Sequence, residues 1–250
     1  MKLRTFGILT LTALPVLSSS AFAEDGSQWG LGVGAGYSSS FYDGKDNDTS
    51  ALPLVYFDNS WVRFSGTTLD IKIKDEDNLT LTLRAKAALG DGYDSGDSSK
   101  LRGMDDRDGG LWVGPHMAYE FGQNTLSLDV LGDASGNSEG WQSTLGYEYN
   151  IQLSERLSIT PSAKLSYLNS DYVNYYYGVK TSEARADRQA YNPGASWTYG
   201  AGVDVGFYLT RHQRLNFSMG VDAAADEIKD SPIVDDDTVM HAGFSYLYLF

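Results

Sequence analysis

The chain has 250 residues, a formal charge of −14 and no cysteine. The acidic balance argues against nucleic-acid binding, which needs a basic surface, and the lack of cysteine excludes disulfides and thiolate chemistry. After residue 23, no apolar run approaches the roughly 18 residues that a membrane helix needs. A membrane form of this chain must therefore be a closed β-barrel, which pairs every backbone group between strands.

Residues 1–23 predict a cleaved secretory signal peptide. Lys2 and Arg4 form a basic start, residues 6–16 are an apolar run, and Ala21-Phe22-Ala23 has the small-x-small form of a cleavage site. The apolar run is too short to span a bilayer. We therefore expect export from the cytoplasm and a mature β-barrel domain over residues 24–250.

Segments that alternate apolar and polar residues with period 2 fill the mature chain and predict β-strands. In the first of them, every second residue from Gly30 to Gly36 is glycine, which suggests that bulky side chains lie opposite inside. The alternating segments cover residues 29–37, 51–58, 61–74, 79–89, 111–121, 126–130, 141–151, 157–167, 197–209, 215–222 and 238–250. Bacterial barrels have even strand numbers. We therefore predict a division of 61–74 near Gly66, giving an antiparallel up-and-down barrel of about twelve strands, with ten as the alternative.

The lengths of the connections predict which way the barrel faces. Short connections lie at 122–123, 152–155 and 210–213, and long ones lie at 91–109, 169–195 and 226–237. Bacterial barrels place short turns in the periplasm and long loops outside. This parity requires that residues 172–179 are loop and not strand.

The last strand, Thr238 to Phe250, has an aromatic outer face and ends on an aromatic residue. This is typical of the closing strand of an outer-membrane barrel, although the last strand of a soluble sandwich is the alternative. The candidate insertion signal consists of Phe244, Tyr246, Tyr248 and Phe250. We expect a monomer in the outer membrane of a Gram-negative bacterium, surrounded by lipid and lipopolysaccharide.

Charged residues recur on the faces that alternation turns inward. The candidate lumen charge network consists of Asp70, Lys72, Arg84, Lys86, Glu120, Glu148, Lys164, Asp204 and Asp222. Alternation also turns Lys74 inward. Such charges either pair across a filled interior or line a permeation path. Small barrels are generally filled, which favours the first interpretation and predicts a largely occluded lumen.

Tyrosines are concentrated in the long loop at 169–195. Tyr175, Tyr176 and Tyr177 form a candidate loop surface for binding, because tyrosine offers rigid amphipathic contact area. The alternative is that these rings plug the mouth of the barrel or join its aromatic girdle.

No pattern predicts catalysis, a metal site or a cofactor. His241 and Ser245 share a face, but four strand residues separate them by about 13 Å, too far for a nucleophile and its base. The acidic runs around Asp105 and Asp235 lack the spaced ligands and central glycine of an EF-hand. We therefore expect no enzyme.

Short segments spread over nearly the whole mature chain carry a family resemblance: Leu52-Pro53, Leu101 to Arg107, Tyr176 to Val179 with Glu183-Ala184, Tyr191 with Pro193, and Ser231 to Val234. Together they resemble the MltA-interacting protein (MipA/OmpV) family of outer-membrane proteins. The resemblance implies a monomeric outer-membrane barrel. For one family member it implies scaffolding between two enzymes: a lytic transglycosylase, which is a murein hydrolase, and a murein synthase.

Two functions follow as hypotheses from the barrel and the resemblance. The first is a non-enzymatic envelope scaffold that contacts periplasmic murein-processing proteins. The alternative is a narrow selective transport barrel for a small solute or antibiotic. A surface enzyme is a distant third.

Overall fold

The computed structural model describes residues 26–76, 78–88 and 92–250. The predicted signal peptide lies outside these residues. The described chain forms a closed antiparallel barrel of twelve strands plus one short extra strand. The strands are β1 (Gln28–Ser38), β2 (Asp48–Asp58), β3 (Val62–Ser65), β4 (Thr68–Glu76), β5 (Leu79–Ala87), β6 (Leu111–Phe121), β7 (Asn124–Asp133), β8 (Trp141–Tyr149), β9 (Ile151–Gln152), β10 (Leu157–Leu168), β11 (Ser196–Tyr208), β12 (Gln213–Ala224) and β13 (Thr238–Leu249).

Apart from the short β9, each strand pairs with the next in sequence, and β13 returns to pair with β1, which confirms the predicted up-and-down barrel. β9 is a two-residue strand that pairs with the start of β10. The predicted division near Gly66 is confirmed, since Gly66 adopts a left-handed φ of 61° between β3 and β4. This hairpin supplies the two strands that bring the count to twelve.

Two helices lie in the long connections: α1 (Ser170–Tyr177) and α2 (Asp226–Lys229). Neither of these helices is long and apolar enough to cross a bilayer, and the same holds throughout the described ranges. The segment expected to be loop at 172–179 is not a strand, so the strand parity holds, but most of it is helical. Asn169 starts α1 because its side chain accepts a hydrogen bond from the Tyr172 N–H, a standard N-cap.

The barrel has two ends, which we call the turn end and the loop end. Short connections follow β6, β9 and β11 at the turn end, and long connections follow β1, β5, β10 and β12 at the loop end. Outward residues such as Leu31, Val33 and Phe244 are half-exposed or more. Most inward residues are polar or glycine, although Leu247 and Leu249 also line the lumen.

One inward prediction is wrong, that for Lys74. The β4–β5 register shifts between Lys72 and Lys74, so an extra residue, Ile73, is inserted in β4. A β-bulge of this kind reverses the alternation that follows it. Lys74 therefore shares the outer face of Leu81, and Asp75 turns inward to lie 2.8 Å from the Lys72 Nζ.

Candidate functional site

Four connections at the loop end, residues 39–47, 92–110, 169–195 and 225–237, pack together into a structure that we call the cap. Its hydrophobic core contains Tyr42, Tyr93, Leu101, Met104, Val173, Tyr176, Tyr177, Val179, Ile228 and Ile233, and it rests on strand-end residues Trp112, Leu131, Leu168 and Ala224. Burial raises the pKa of both Tyr42 and Tyr93, so these hydroxyls stay neutral. The cap thus closes the loop end with a core of its own.

A buried ion pair joins two loops of the cap. Arg107 Nη2 lies 3.0 Å from Glu183 Oε1, and both side chains are only 4% exposed. The guanidinium also lies over the rings of Tyr93 and Tyr175, at 5.9 and 5.5 Å from their centroids. Its Nε donates to the Tyr175 carbonyl oxygen. Arg107 therefore ties residues 92–110 to α1 through charge, hydrogen bond and ring contact together.

The Glu183 carboxylate accepts four hydrogen bonds. Besides the two bonds from Arg107, its carboxylate accepts the backbone N–H groups of Asp105 and Lys180, both at 2.9 Å. Burial raises the pKa of Glu183, but these hydrogen bonds and the Arg107 charge outweigh it, so the pKa lies below its ordinary value. Arg188 donates to the Glu183 carbonyl oxygen and completes the cluster.

The tyrosines of the candidate loop surface lie mostly inside the cap. Tyr176 is 2% and Tyr177 is 8% exposed, whereas Tyr175 is half-buried beside Arg107. The Tyr42 hydroxyl donates to the Tyr176 carbonyl oxygen, and the Ser231 hydroxyl donates to that of Tyr177. Tyr176 and Tyr177 therefore do not form an exposed surface. Their rings roof the lumen.

Beneath the cap, a cavity of about 1800 Å³ runs through the lumen to the turn end. Tyr42, Trp112 and Tyr176 line it at the top, and Gln123 and Arg211 line it at the bottom. Because Gln123 and Arg211 are exposed, the cavity opens at the turn end. The lumen is therefore closed at the loop end and open at the turn end.

The first group of lumen charges follows neighbouring strands β2 to β7. Arg63 faces Asp70 in register, and Asp70 faces Arg84. Arg84 donates two bonds to Asp70, at 2.8 and 3.0 Å, and a third to Asp129, at 2.9 Å. A bidentate arginine–carboxylate pair of this kind is a strong charge-assisted contact.

Lys72 belongs to the same side of the lumen. Its Nζ lies 2.8 Å from both Asp58 Oδ1 and Asp75 Oδ2. Asp58 also accepts from Arg63 Nε at 2.9 Å. These contacts make a chain of alternating charges, Asp75–Lys72–Asp58–Arg63, beside the chain Asp70–Arg84–Asp129.

The second group lies across the lumen on β10 to β13. Lys164, Gly200 and Asp222 occupy one row of paired residues on three strands, and Lys164 Nζ lies 2.9 Å from Asp222 Oδ1. A Cβ at Gly200 would collide with both side chains, so this glycine leaves the space in which they meet. His241 Nδ1 lies 3.6 Å from Asp222.

The other members of the candidate network are dispersed. Asp204 is buried and accepts from Asn216 Nδ2 at 3.3 Å. Lys86 lines the upper cavity, while Glu120 and Glu148 line it toward the turn end. Within the described part of the chain, neither Glu120 nor Glu148 is within ion-pair distance of a basic group. The structure thus brings together Asp70 with Arg84, and Lys164 with Asp222, but not the whole set.

The histidines lie apart from one another. His116 Nδ1 is 3.0 Å from Asp129 Oδ1 in the lumen, and His212 Nδ1 is 3.0 Å from the Leu249 carbonyl oxygen at the turn end. Over residues 26–76, 78–88 and 92–250, no group of three or more His, Asp or Glu side chains is arranged to hold a metal ion.

The candidate insertion signal lies on the outer face of β13 and just after it. Phe244 is 49% and Phe250 is 68% exposed, and the rings of Tyr248 and Phe250 meet edge to face. The Phe250 N–H donates to the Trp29 carbonyl oxygen at 2.9 Å, which holds the C-terminus against β1.

Sequence reasoning missed the Arg107–Glu183 pair. Both residues fall in segments that carry the family resemblance, Leu101 to Arg107 and Glu183-Ala184, and that was the only signal. They are 76 positions apart in loops without periodicity. It also missed Asp58, Arg63 and Asp75, which complete the first lumen group.

Comparison with known proteins gives consistent relatives. Residues 31–250 match the model of the family described as MltA-interacting protein MipA. The chain is 29% identical to the outer membrane protein OmpV of Vibrio cholerae serotype O1, over 100% of this chain and 99% of that protein. It is 28% identical to the MltA-interacting protein of Escherichia coli K12, over 94% of this chain and 93% of that protein.

Among solved structures, an outer membrane channel from Pseudomonas putida F1 aligns with 90% of this chain and 96% of its own, at 16% identity and a TM-score of 0.47. The named relatives are outer-membrane proteins and the fold is a closed barrel, which confirms the predicted localisation in the outer membrane. The chain belongs to the MltA-interacting protein MipA family.

Proposed function

We propose that this barrel is a non-enzymatic scaffold of the cell envelope, which presents its turn end to murein-processing proteins in the periplasm. The observation that supports this most is the cap. A buried hydrophobic core and the Arg107–Glu183 pair roof the loop end, whereas the cavity opens at the turn end. The open, accessible face is thus the one that short turns place in the periplasm.

The turn end offers a compact polar surface for such a partner. Glu155 and Arg156 are exposed in the connection before β10, and Arg211 and His212 are exposed in the connection before β12. Opposite charges side by side on rigid hairpins can fix the register of a partner. The name of the Escherichia coli relative, MltA-interacting protein, supports a murein-processing partner for this chain as well.

The test is capture of envelope proteins by the purified, folded barrel. The barrel should retain murein-processing enzymes from a periplasmic extract, and the double variant Glu155→Lys with Arg211→Glu should retain at least about tenfold less, because both contacts become repulsive. Asp236→Lys, an exposed charge change at the loop end, is the matched control and should bind normally. Equal capture by all three proteins would contradict the role of the turn end, and failure to retain any murein-processing enzyme would contradict the scaffold.

The proposal includes a maturation step and an assembly state. Residues 1–23 are removed on export, and the mature barrel is a monomer in contact with lipid and lipopolysaccharide. Closure by the β13–β1 pairing supports the monomer, since the closed ring needs no partner strand. Mass spectrometry of the protein from outer membranes should find Glu24 at the N-terminus, and light scattering should find one copy per micelle. An uncleaved chain or a stable oligomer would contradict these two points.

A narrow transport barrel is the second candidate, and the cavity of about 1800 Å³ favours it. Planar-bilayer recording separates the two functions. The capped barrel should give little steady conductance, and Glu183→Gln should give more frequent openings because it weakens the roof. Large, stable, ohmic channels in the unmodified protein would favour the transport function over the scaffold function.

A further inference from the structure

The β3–β4 hairpin is shorter than the neighbouring strand β2, so the barrel wall has a gap above the hairpin. We call this gap the step. β3 has four residues and pairs with β2 only at Tyr56 to Asp58. One more bond follows, from the Gly66 N–H to the Val55 carbonyl oxygen. Beyond it, no described residue pairs with the β3-facing edge of β2 between Asp48 and Leu54. At about 3.3 Å per residue, this free edge is roughly 20 Å long.

The direction of the Val55 carbonyl shows which backbone groups the free edge presents. Residues two apart in a strand point their backbone groups the same way, so those of Thr49, Ala51 and Pro53 also point into the step. Proline has no N–H, which suits it to an unpaired edge. The Val55 N–H points the same way as the Val55 carbonyl, so the edge presents three carbonyl oxygens and three N–H groups that have no backbone partner among the described residues.

Lumen residues border the step on both sides. Asp48 and Tyr56 on β2 line the cavity, and so do Thr68 and Ala88 across the step. Unpaired backbone in the hydrocarbon region is tolerated where it lines a water-filled cavity. The lumen supplies such water. The outer surface beside the step is apolar, with Val33 61% and Val55 37% exposed.

We propose that this step is a lateral opening between the lumen and the loop-end leaflet of the membrane, and that it binds an amphipathic molecule. The ligand has a hydrogen-bonding head, such as a hydroxyl group, which pairs with the free carbonyl and N–H groups of β2, and an apolar chain, which stays in the lipid. The cap closes the axial path above the lumen, so the step is the route by which the upper lumen meets the membrane.

A pair of single-cysteine variants tests the opening. Ala51 lies on the free edge, and Ala35 lies directly opposite it in the β1–β2 register, in fully paired wall. Both alanines face outward. In proteoliposomes, a charged maleimide should react with Ala51→Cys at least about tenfold faster than with Ala35→Cys, because the reactive thiolate forms in water and not in hydrocarbon. Equal rates would overturn the proposal.

Sealing the step gives a second measurement. Adding two residues to each strand of the β3–β4 hairpin, before Gly66 and after Thr67, lets the hairpin pair with the free edge. This should slow Ala51→Cys labelling to the rate of Ala35→Cys. The same insertion around the Gly122-Gln123 turn should leave labelling unchanged. If the sealed barrel folds and Ala51→Cys still reacts quickly, the step is not the path of the water. If it does not fold, the comparison of Ala51→Cys with Ala35→Cys decides alone.

The ligand is tested with 1-decanol against decane, which lacks the hydrogen-bonding head. Decanol should slow Ala51→Cys labelling about fivefold more than decane does, the factor that one net hydrogen bond supplies. A cysteine at the exposed loop position Ser135 controls for general effects on the reagent. Equal slowing by decanol and decane would overturn the amphiphile site.

Discussion

Arg107 and Glu183 are the residues on which the cap depends most. Both are almost fully buried, and removing one partner of a buried pair leaves an unpaired charge that costs roughly 3–5 kcal/mol. Glu183→Gln keeps the size of the side chain but removes its charge. We expect the loops of this variant to become sensitive to trypsin while the barrel stays folded. Asp236→Asn, an exposed carboxylate in another cap loop, should show no change.

The cap should also weaken in acid. Burial raises the pKa of Glu183, but the N–H groups of Asp105 and Lys180 and the Arg107 charge lower it further, to a net value below the ordinary one. Such a group stabilises the fold fully at pH values above its pKa in the unfolded chain, which is about 4.3 for glutamate. The stabilisation is lost as the pH falls through the pKa in the folded protein. Near-ultraviolet circular dichroism of the tyrosine cluster should therefore be constant from pH 7 to 5 and decline below pH about 4. A decline of the same size in Glu183→Gln would show that another group is responsible.

At the scale of elements, the seam between β1 and β13 explains the glycines of the first strand. A Cβ at Gly30 would lie 3.0 Å from the Leu249 side chain and 3.2 Å from that of Leu247. The inner face of β13 turns from polar to apolar at these two leucines because they lean over the glycines of β1. Leu54 covers Gly34 from the other neighbouring strand.

Two alanine substitutions test the seam. At Gly32 a Cβ would collide with the backbone carbonyl of Tyr246, whereas at Gly34 it would meet the flexible Leu54 side chain at 3.3 Å. Gly32→Ala should therefore reduce the folded, heat-modifiable fraction in outer membranes far more than Gly34→Ala. Equal yields would mean that closure tolerates a shift of β13.

The end of β13 should matter for assembly rather than for binding. Phe250, Tyr248 and Phe244 have exposed aromatic rings, and the Phe250 N–H donates to the Trp29 carbonyl oxygen. We predict that deletion of residues 248–250 lowers the amount of folded barrel in outer membranes. Ala35→Ser, a change on the outer face of β1, is the control. An unchanged folded yield after the deletion would exclude the C-terminal residues as an insertion signal.

At the scale of the whole molecule, the distribution of long and short connections predicts its orientation. A cysteine at Gln189 in the cap should be labelled on intact cells by an impermeant maleimide, and a cysteine at Leu153 should be labelled only after the outer membrane is opened. Both positions are exposed, and the chain has no other cysteine. The reverse pattern would show that the turn end faces outside, and it would remove the basis of the scaffold proposal.

The sequence by itself determined which strand residues face outward and which face the lumen, except beyond the bulge at Ile73. Side chains of a strand point alternately to opposite faces because of its covalent geometry. A regular stretch such as β13 can therefore be interpreted without any knowledge of its neighbours. Local alternation gave eleven segments, and the rule that bacterial barrels have even strand numbers led to the division at Gly66.

The tertiary structure alone decided which charges meet and what closes the loop end. Lys164 reaches Asp222 because the register places Gly200 between them, and Lys74 faces outward because Ile73 is inserted in β4. Arg107 and Glu183 are 76 positions apart and meet because two separate loops of the cap pack together. Register, bulges and loop packing depend on pairing between distant segments, and no pattern within one segment contains that information.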